Sequence, residues 1–329
     1  MAAKMVNTVA GPVSADELGL TLMHEHIVFG YPGWNGDVTL GAFDRPAAVK
    51  QAVETLSALK QAFGLGTLVD ATPNETGRDP LLLKEVSEKS GVNIVCSTGY
   101  YSQAEGGAAY FAFRASLGDA VAEIREMFLT ELTKGVADTG VRPGVIKLAS
   151  SQGQITDYEK MFFTAAVAAQ KETGAPIITH TEHGTMGPEQ AKFLLELGAD
   201  PKRTMIGHMC DNLDLDYQEA VLRQGVYVSW DRMGLQGLAG CPMEATRYPV
   251  LNELIQRGWA KQLMLSHDSI NTWLGRPLSI PEAALPMVID WRPDHIFNKV
   301  APALLAGGAT QADLDVILKD NPRRLFAGV

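Results

Sequence analysis

Short apolar segments rich in β-branched residues recur along the chain, and segments with helical spacing of apolar residues lie between them. Eight of the apolar segments have the length of strands, and they span residues 20–28, 67–71, 93–98, 144–149, 176–181, 204–209, 226–230 and 262–267. Nearly continuous apolar strands that alternate with helices are typical of parallel strands whose two faces are both buried. The pattern therefore predicts a parallel β-sheet covered by helices.

The segments between these strands are predicted to be helices. They span residues 46–63, 81–90, 117–138, 158–173, 189–197, 216–223 and 243–256. The first helix ends before Gly64, because glycine after the last apolar position is a common stop signal. Thr156 with Glu159, and Thr310 with Asp313, have the spacing of capping boxes, so each pair predicts the start of a helix.

Eight strand–helix units predict the α/β class and a (β/α)8 TIM barrel. We expect one domain over residues 1–329, with a short N-terminal hairpin at about residues 5–18. The alternative is an open, doubly wound sheet, which usually has an early glycine-rich phosphate-binding turn, and the sequence contains none. In a barrel, the chemistry gathers at the C-terminal ends of the strands, so candidate functional residues are expected there.

Composition argues against several classes of function. The formal net charge is -10 and no run of basic residues is present, which disfavours a nucleic-acid partner. No apolar run approaches the roughly 20 residues that cross a bilayer, so no membrane partner is expected. The three cysteines are scattered, as is typical of a reduced compartment. We expect a cytoplasmic protein, with a removed signal peptide as the open alternative.

The first predicted strand carries the motif His24-Glu25-His26. Residues two apart on a strand point to the same face, so the two imidazoles project side by side. Such a pair can bind a divalent metal ion. Two surface histidines are the alternative interpretation, and further ligands at other strand ends would decide against it.

Four other strands end with residues that can bind metal. Lys147 lies on the fourth strand, His180 on the fifth, His208 on the sixth, and Asp268 just beyond the eighth. Taken singly, each could be an ordinary residue of the barrel interior. Burying so many ionisable groups without partners is costly, whereas a metal centre would satisfy all of them. The remaining histidines are predicted to lie outside this centre, and they are His183, His267 and His295.

These six residues resemble, in order and in strand placement, the ligand set of the phosphotriesterase-like family of the amidohydrolase superfamily. The resemblance runs from Gly19 to residues 321–326. It implies a hydrolase with two divalent metal ions. The resemblance places His24, His26 and Asp268 on the more buried ion, and His180 and His208 on the more exposed one.

The resemblance also implies that Lys147 is carboxylated by carbon dioxide and bridges the two ions. An ordinary lysine, with a pKa of about 10.4, is a poor ligand at neutral pH. Zinc suits nitrogen and oxygen ligands, with manganese, cobalt or iron as alternatives. A bridging hydroxide, whose pKa is lowered towards about 7, would attack the substrate. Asp268 would accept the proton and pass it towards Asp211, for which a helix N-cap is the alternative role.

Two further features resemble the lactonase branch of the family. Tyr101 ends the third strand, and Arg232 follows the seventh strand in the segment Ser229-Trp230-Asp231-Arg232. By resemblance, Tyr101 would orient a lactone, and Arg232 would hold the loop or the leaving group. For Tyr100 and Tyr101, packing at the barrel rim is the alternative. The resemblance also suggests a homodimer.

The predicted activity is therefore hydrolysis of lactones or related carboxylic esters, with promiscuous phosphotriesterase activity. A dedicated phosphotriesterase (aryldialkylphosphatase) or phosphodiesterase is the alternative, and a non-catalytic binding barrel is a third reading. The first loop, at residues 31–37, and the eighth loop, with Trp273 and Trp291, are rich in aromatic residues. They predict an apolar pocket for an acyl chain or aryl group.

Overall fold

A curled parallel sheet forms the centre of the protein in this computed structural model, which describes residues 4–329. Two antiparallel strands precede it, and they are β1 (Met5–Thr8) and β2 (Gly11–Ser14). The parallel strands are β3 (Leu20–Phe29), β4 (Leu65–Asp70), β5 (Asn93–Gly99), β6 (Val145–Ala149), β7 (Ile177–His180), β8 (Thr204–Ile206), β9 (Tyr227–Trp230), β10 (Leu263–Leu265) and β11 (Ile270–Trp273). Their spatial order is β10-β9-β8-β7-β6-β5-β4-β3-β11.

The eighth strand position of the barrel is divided between β10 and β11. β10 pairs with β9, whereas β11 pairs with β3. Between them, the Asp268 amide donates to the His24 carbonyl at 2.9 Å, and the His26 amide donates to the Ser269 carbonyl at 2.8 Å. These bonds close the sheet on itself and confirm the predicted (β/α)8 barrel.

Helices cover the outside of the sheet. They are α1 (Arg45–Phe63), α2 (Pro80–Ser90), α3 (Ala108–Leu117), α4 (Ala120–Thr133), α5 (Asp157–Thr173), α6 (Gly187–Glu196), α7 (Leu215–Leu222), α8 (Glu244–Gln256), α9 (Leu285–Val288), α10 (Ala301–Ala306), α11 (Gln311–Asp315) and α12 (Asn321–Ala327). Both predicted capping boxes are present, at Thr156 and at Thr310. Within residues 4–329, no helix has the length and apolarity needed to cross a bilayer.

The prediction of a single helix over residues 117–138 is wrong. The helix α3 ends at Leu117, and α4 begins at Ala120. Gly118 is extended, and the Asp119 side chain accepts a hydrogen bond from the Ala122 amide. An aspartate N-cap offers the amides of the next turn an acceptor, so the chain starts a new helix at this point.

Alternate strand residues divide the core into two layers. One set faces the helices, and it includes Leu68, Ile146 and Ile206. The other set fills the barrel interior, and its strand residues are Met23, Val69, Val95, Val145, Ile178, Met205, Tyr227 and Met264. Leu325 and Phe326 pack against the interior set. The interior of the barrel is therefore apolar up to the level at which the polar strand ends begin.

Candidate metal centre

His24 and His26 are buried inside the barrel mouth. They are only 1% and 5% exposed, so the surface-pair alternative is wrong. Both Nε2 atoms approach one oxygen, Asp268 Oδ1, at 3.2 Å from His24 and 2.9 Å from His26. The pairing of β3 with β4 shifts register between Leu22 and Glu25. Beyond this irregularity, both imidazoles are directed towards Asp268.

Lys147, His180 and His208 complete the cluster. The Lys147 Nζ atom lies 2.9 Å from His24 Nε2, and the rings of His180 and His208 are 4.4 Å apart between centroids. The His208 Nε2 atom lies 3.7 Å from Asp268 Oδ2. The structure thus brings together all six residues that the sequence predicted as metal ligands.

Two of these residues have an unusual backbone conformation. His208 and Asp268 lie in the left-handed region, with φ of 57° and 55°. This conformation costs free energy for non-glycine residues, and residues that adopt it are frequent at functional sites. At the adjoining Gly207, a Cβ atom would stand 2.2 Å from the Thr179 carbonyl oxygen, so this close approach requires glycine. The backbone turns out of β8 here and leaves the His208 ring in the centre.

Glu25, between the two histidines, holds the segment that carries Asp268. Its carboxylate accepts hydrogen bonds from the Ser266 hydroxyl at 2.8 Å, the His267 amide at 3.0 Å and the Ser269 amide at 2.9 Å. These bonds surround Asp268 on both sides along the chain. Glu25 is therefore a positioning residue, and sequence reasoning had assigned it no role.

Asp231 is a second residue that sequence reasoning missed. Its two carboxylate oxygens accept from the Nδ1 atoms of His24 and His208, each at 2.9 Å. Burial alone would raise the pKa of Asp231, but His24 and Lys147 hold that pKa below its usual value. Because Asp231 occupies both Nδ1 atoms, both rings present Nε2 to the centre. Its position directly after the seventh strand was the signal that could have identified it.

The other two histidines are also oriented by polar neighbours. His26 Nδ1 lies 2.7 Å from the Thr72 hydroxyl, so this ring again presents Nε2. His180 is reversed, because its Nε2 lies 2.7 Å from Glu182 Oε2. Its Nδ1 atom therefore faces the centre. Sequence reasoning missed Thr72 and Glu182 as well, since contacts through a ring nitrogen leave no spacing pattern.

The donor set fits divalent metal ions. The ligand atoms of His24, His26 and Asp268 lie within 4.8 Å of one another, and the buried His208 Nε2 atom has no hydrogen-bond partner among the described residues. Burial lowers the pKa of His180 to about 4, so its ring is neutral at pH 7 as metal binding requires. Burial also lowers the pKa of Lys147 to about 8. Imidazole nitrogens with carboxylate oxygens are typical zinc ligands.

Arg232 joins the centre to Asp211. Its Nη1 donates to Asp211 Oδ2 at 2.8 Å, and its Nε donates to Asp268 Oδ2 at 3.1 Å. The N-cap of α7 is Asp214, so the N-cap alternative for Asp211 is wrong. A guanidinium donates hydrogen bonds but does not accept a proton. A proton therefore cannot move from Asp268 to Asp211 through Arg232.

The adjacent tyrosines have different environments. Tyr100 packs against Phe111 and Phe162, with ring centroids 5.1 Å and 5.0 Å away. The Tyr101 hydroxyl instead lies 3.3 Å from His180 Nδ1. Burial, and then the nearby Glu105, raise the pKa of Tyr101 well above its usual value, so Tyr101 is a neutral donor. Packing therefore accounts for Tyr100 and not for Tyr101.

A cavity of about 100 Å³ opens above the centre. Aromatic and apolar side chains make up much of its wall, and they are Phe29, Tyr31, Leu235, Ile270, Trp273 and Trp291. The first and eighth loops thus both contribute aromatic residues to the pocket, as predicted. The three histidines left out of the centre each contact a carboxylate that is not among the six predicted ligands, and the pairs are His183 with Glu182, His267 with Glu25, and His295 with Glu244.

Known proteins share both this sequence pattern and this fold. A sequence profile of the Phosphotriesterase family matches residues 4–326. A solved organophosphorus hydrolase from Deinococcus radiodurans is 54% identical, with a TM-score of 0.97 over 99% of this chain and 98% of that chain. Another solved structure comes from the molecular engineering of organophosphate hydrolysis activity from a weak promiscuous lactonase template. It is 54% identical, with a TM-score of 0.96 over 98% of this chain and 99% of that chain.

A relative with lower sequence identity supports the same family. The aryldialkylphosphatase of Saccharolobus solfataricus is 31% identical over 318 residues, which is 96% of this chain and 97% of that protein. The profile match and the structural similarity each span nearly the full chain. The chain therefore belongs to the phosphotriesterase family of hydrolases.

Proposed function

We propose that this protein is a metal-dependent hydrolase of lactones or related carboxylic esters, with weaker activity towards activated phosphotriesters. The observation that carries the proposal is the Tyr101 hydroxyl, which lies beside His180 at the edge of the aromatic cavity. A neutral phenol at this place can donate a hydrogen bond to an ester oxygen and so orient a lactone ring. The lactonase template among the similar structures supports the same choice.

His24, His26 and Asp268 would hold one divalent ion, and His180 and His208 the other. Lys147 would supply an anionic oxygen between them, after its neutral amine adds to carbon dioxide and loses a proton. Zinc suits these ligands, with manganese, cobalt or iron as alternatives. When bound, such ions lower the pKa of water towards about 7 and polarise the ester oxygen.

The protein's own residues then orient the substrate and accept the proton. Burial alone would raise the pKa of Asp268, but the surrounding histidines and Arg232 hold it well below its usual value. Asp268 is therefore ionised and can accept a proton at Oδ2. Arg232 fixes that oxygen at 3.1 Å. From Asp268 the proton leaves through solvent, because Arg232 blocks the direct route to Asp211.

A dedicated phosphotriesterase is the second candidate, and the organophosphorus hydrolase at 54% identity supports it. Parallel kcat/KM values for a panel of γ- and δ-lactones and for diethyl 4-nitrophenyl phosphate separate the two. We expect lactones to be the better substrates. Higher kcat/KM for the phosphotriester would favour the second candidate instead.

Tyr101→Phe tests the role of the hydroxyl. We expect kcat/KM for lactones to fall about tenfold, the effect of one hydrogen bond that strengthens in the transition state. Activity towards the phosphotriester should change little. Tyr100→Phe is the matched control, because Tyr100 packs away from the cavity. Equal effects of both variants on lactones would contradict the proposal.

Metal dependence is tested separately from substrate choice. Elemental analysis of purified protein should find about two divalent ions per chain, as the two sets of ligands require. Removal by a chelator should abolish activity, and adding zinc, manganese or cobalt should restore it. Full activity of protein that contains no metal would refute the proposed chemistry.

A further inference from the structure

Two carboxylates that the proposed mechanism does not use flank the candidate metal centre. Ligand atoms of Glu105, Glu182 and His180 lie within 4.8 Å of one another. Both glutamates are partly exposed, whereas His180 is buried. They therefore lie beside His180, next to the ion that His180 would bind, although neither is among the described residues that line the cavity.

The field of both carboxylates reaches the cavity. Tyr31 lines the cavity wall, and its side chain is half-exposed. Its pKa is raised to about 12, first by desolvation and next by Glu105. Asp268 and Glu182 add to the rise, and Arg232 opposes it. A raised pKa of a phenol means that negative charge is unfavourable at that place. An anionic substrate in the cavity would meet the same field.

Apart from the ions themselves, the cavity wall offers little to hold an anion. With Lys147 carboxylated, Arg232 is the cationic side chain among the described residues that line the cavity. Arg232 already donates to Asp211 and to Asp268. Elsewhere the wall is largely aromatic and apolar, which suits an uncharged ligand.

We propose that Glu105 and Glu182 act as a charge filter, which selects neutral esters over anionic ones and promotes release of the anionic product. The inference rests on the proposed function. Hydrolysis of a lactone adds water across the ring ester, breaks the acyl carbon–oxygen bond, and yields a hydroxy carboxylate and a proton. Two divalent ions would attract that carboxylate, and the two glutamates oppose the attraction. Phosphodiesters and carboxylated lactones are then poor substrates.

Glu105→Gln and Glu182→Gln remove one charge each with little change of shape. For each variant we compare γ-butyrolactone with its ring-carboxylated analogue, which shares the reacting bond and differs in charge. The wild-type preference for the neutral lactone should fall about tenfold, as expected for one nearby charge at intermediate dielectric constant. Rising ionic strength should weaken the wild-type preference, because salt screens partly exposed charges. An unchanged preference in both variants would overturn the charge filter.

Binding of the product gives a readout that needs no turnover. Isothermal titration calorimetry with 4-hydroxybutyrate should give a Kd about tenfold lower for Glu105→Gln than for wild type. Glu88→Gln, on the exposed surface of α2, is the matched control and should leave Kd unchanged. Metal content is measured for every variant, because Glu182 contacts His180.

The two readouts separate failure of the inference from failure of the proposed function. If the wild type turns over neither lactones nor carboxylic esters, the proposed function fails, while the Kd values still test the filter. If lactones are hydrolysed but neither variant changes the preference or the Kd, only the charge filter fails.

Discussion

The two ends of the barrel interior have opposite chemistry although they belong to the same strands. On β6, Val145 packs in the apolar interior, and Lys147, two residues later, lies in the candidate metal centre. On β7, Ile178 and His180 have the same relation. The comparison indicates that one end of the interior is built for stability, and that the other accepts a cost in stability for function.

Lys147→Ala tests the polar end of the barrel interior and should have the largest effect on activity of the variants considered. We expect kcat/KM to fall about a thousandfold or more, because loss of the residue between two ions removes several kcal/mol of transition-state stabilisation. Metal content should fall as well. Thermal unfolding should occur at a lower temperature, because ions that bind only the folded state stabilise it and the variant holds fewer of them. A stable, fully active Lys147→Ala protein would contradict the assignment.

Met205→Ala tests the apolar end. Met205 is completely buried in the interior set, so its truncation should lower the free energy of unfolding by about 2 to 5 kcal/mol. Denaturant unfolding measures this loss. In the folded fraction, kcat/KM and metal content should remain close to wild type. Loss of metal from the folded fraction would mean that the apolar end of the interior also supports metal binding.

Asp231→Asn tests, within the polar end, the carboxylate that contacts both His24 and His208. An amide can still accept one hydrogen bond, but it cannot accept from both His24 and His208 with a full negative charge. Loss of such a carboxylate partner typically weakens metal binding by about 10- to 100-fold. Competition with a metal-sensitive dye measures the affinity, and Asp157→Asn on the exposed surface of α5 serves as control. Equal affinity in both variants would remove Asp231 from the centre.

Glu75 gives the smallest predicted effect, on stability as a function of pH. Its Oε1 accepts from the Tyr101 amide at 2.6 Å, while Oε2 is buried without a hydrogen-bond partner within residues 4–329. Burial raises the pKa of Glu75 to about 7 from 4.5. Because the folded state holds the Glu75 proton more tightly than the unfolded state, proton binding at Glu75 contributes to the free energy of unfolding. This contribution is complete below about pH 4.5 and is lost as pH rises through about 7.

Glu75→Gln should remove that dependence, since its amide stays neutral. At pH 8 the variant should be more stable than wild type by about 1 to 2 kcal/mol, and at pH 5 the two should be similar. Thermal melts at both values, with Glu126→Gln on α4 as control, measure the difference. Parallel pH profiles of wild type and Glu75→Gln would show that Glu75 does not titrate in this range.

Prediction from the sequence was most successful where spacing carries the signal. The repeat of apolar strands and helices predicted the barrel, and polar residues at strand ends predicted the six members of the centre. It failed at Gly118 and Asp119, where one predicted helix is two. It also assigned no role to Asp231, although that residue directly follows β9. A residue that acts through the rings of His24 and His208 has no fixed distance from them along the chain, so spacing did not indicate its partners.

The sequence by itself therefore determined the barrel and the identity of the residues that meet at its mouth. Strand direction sets which ends converge, and strand alternation sets which side chains point inward, so both follow from local pattern. Only the tertiary structure decided which nitrogen each histidine presents, that Arg232 separates Asp268 from Asp211, and that Glu105 and Glu182 stand beside His180. These depend on contacts between distant segments, whose geometry is set by packing of the whole barrel.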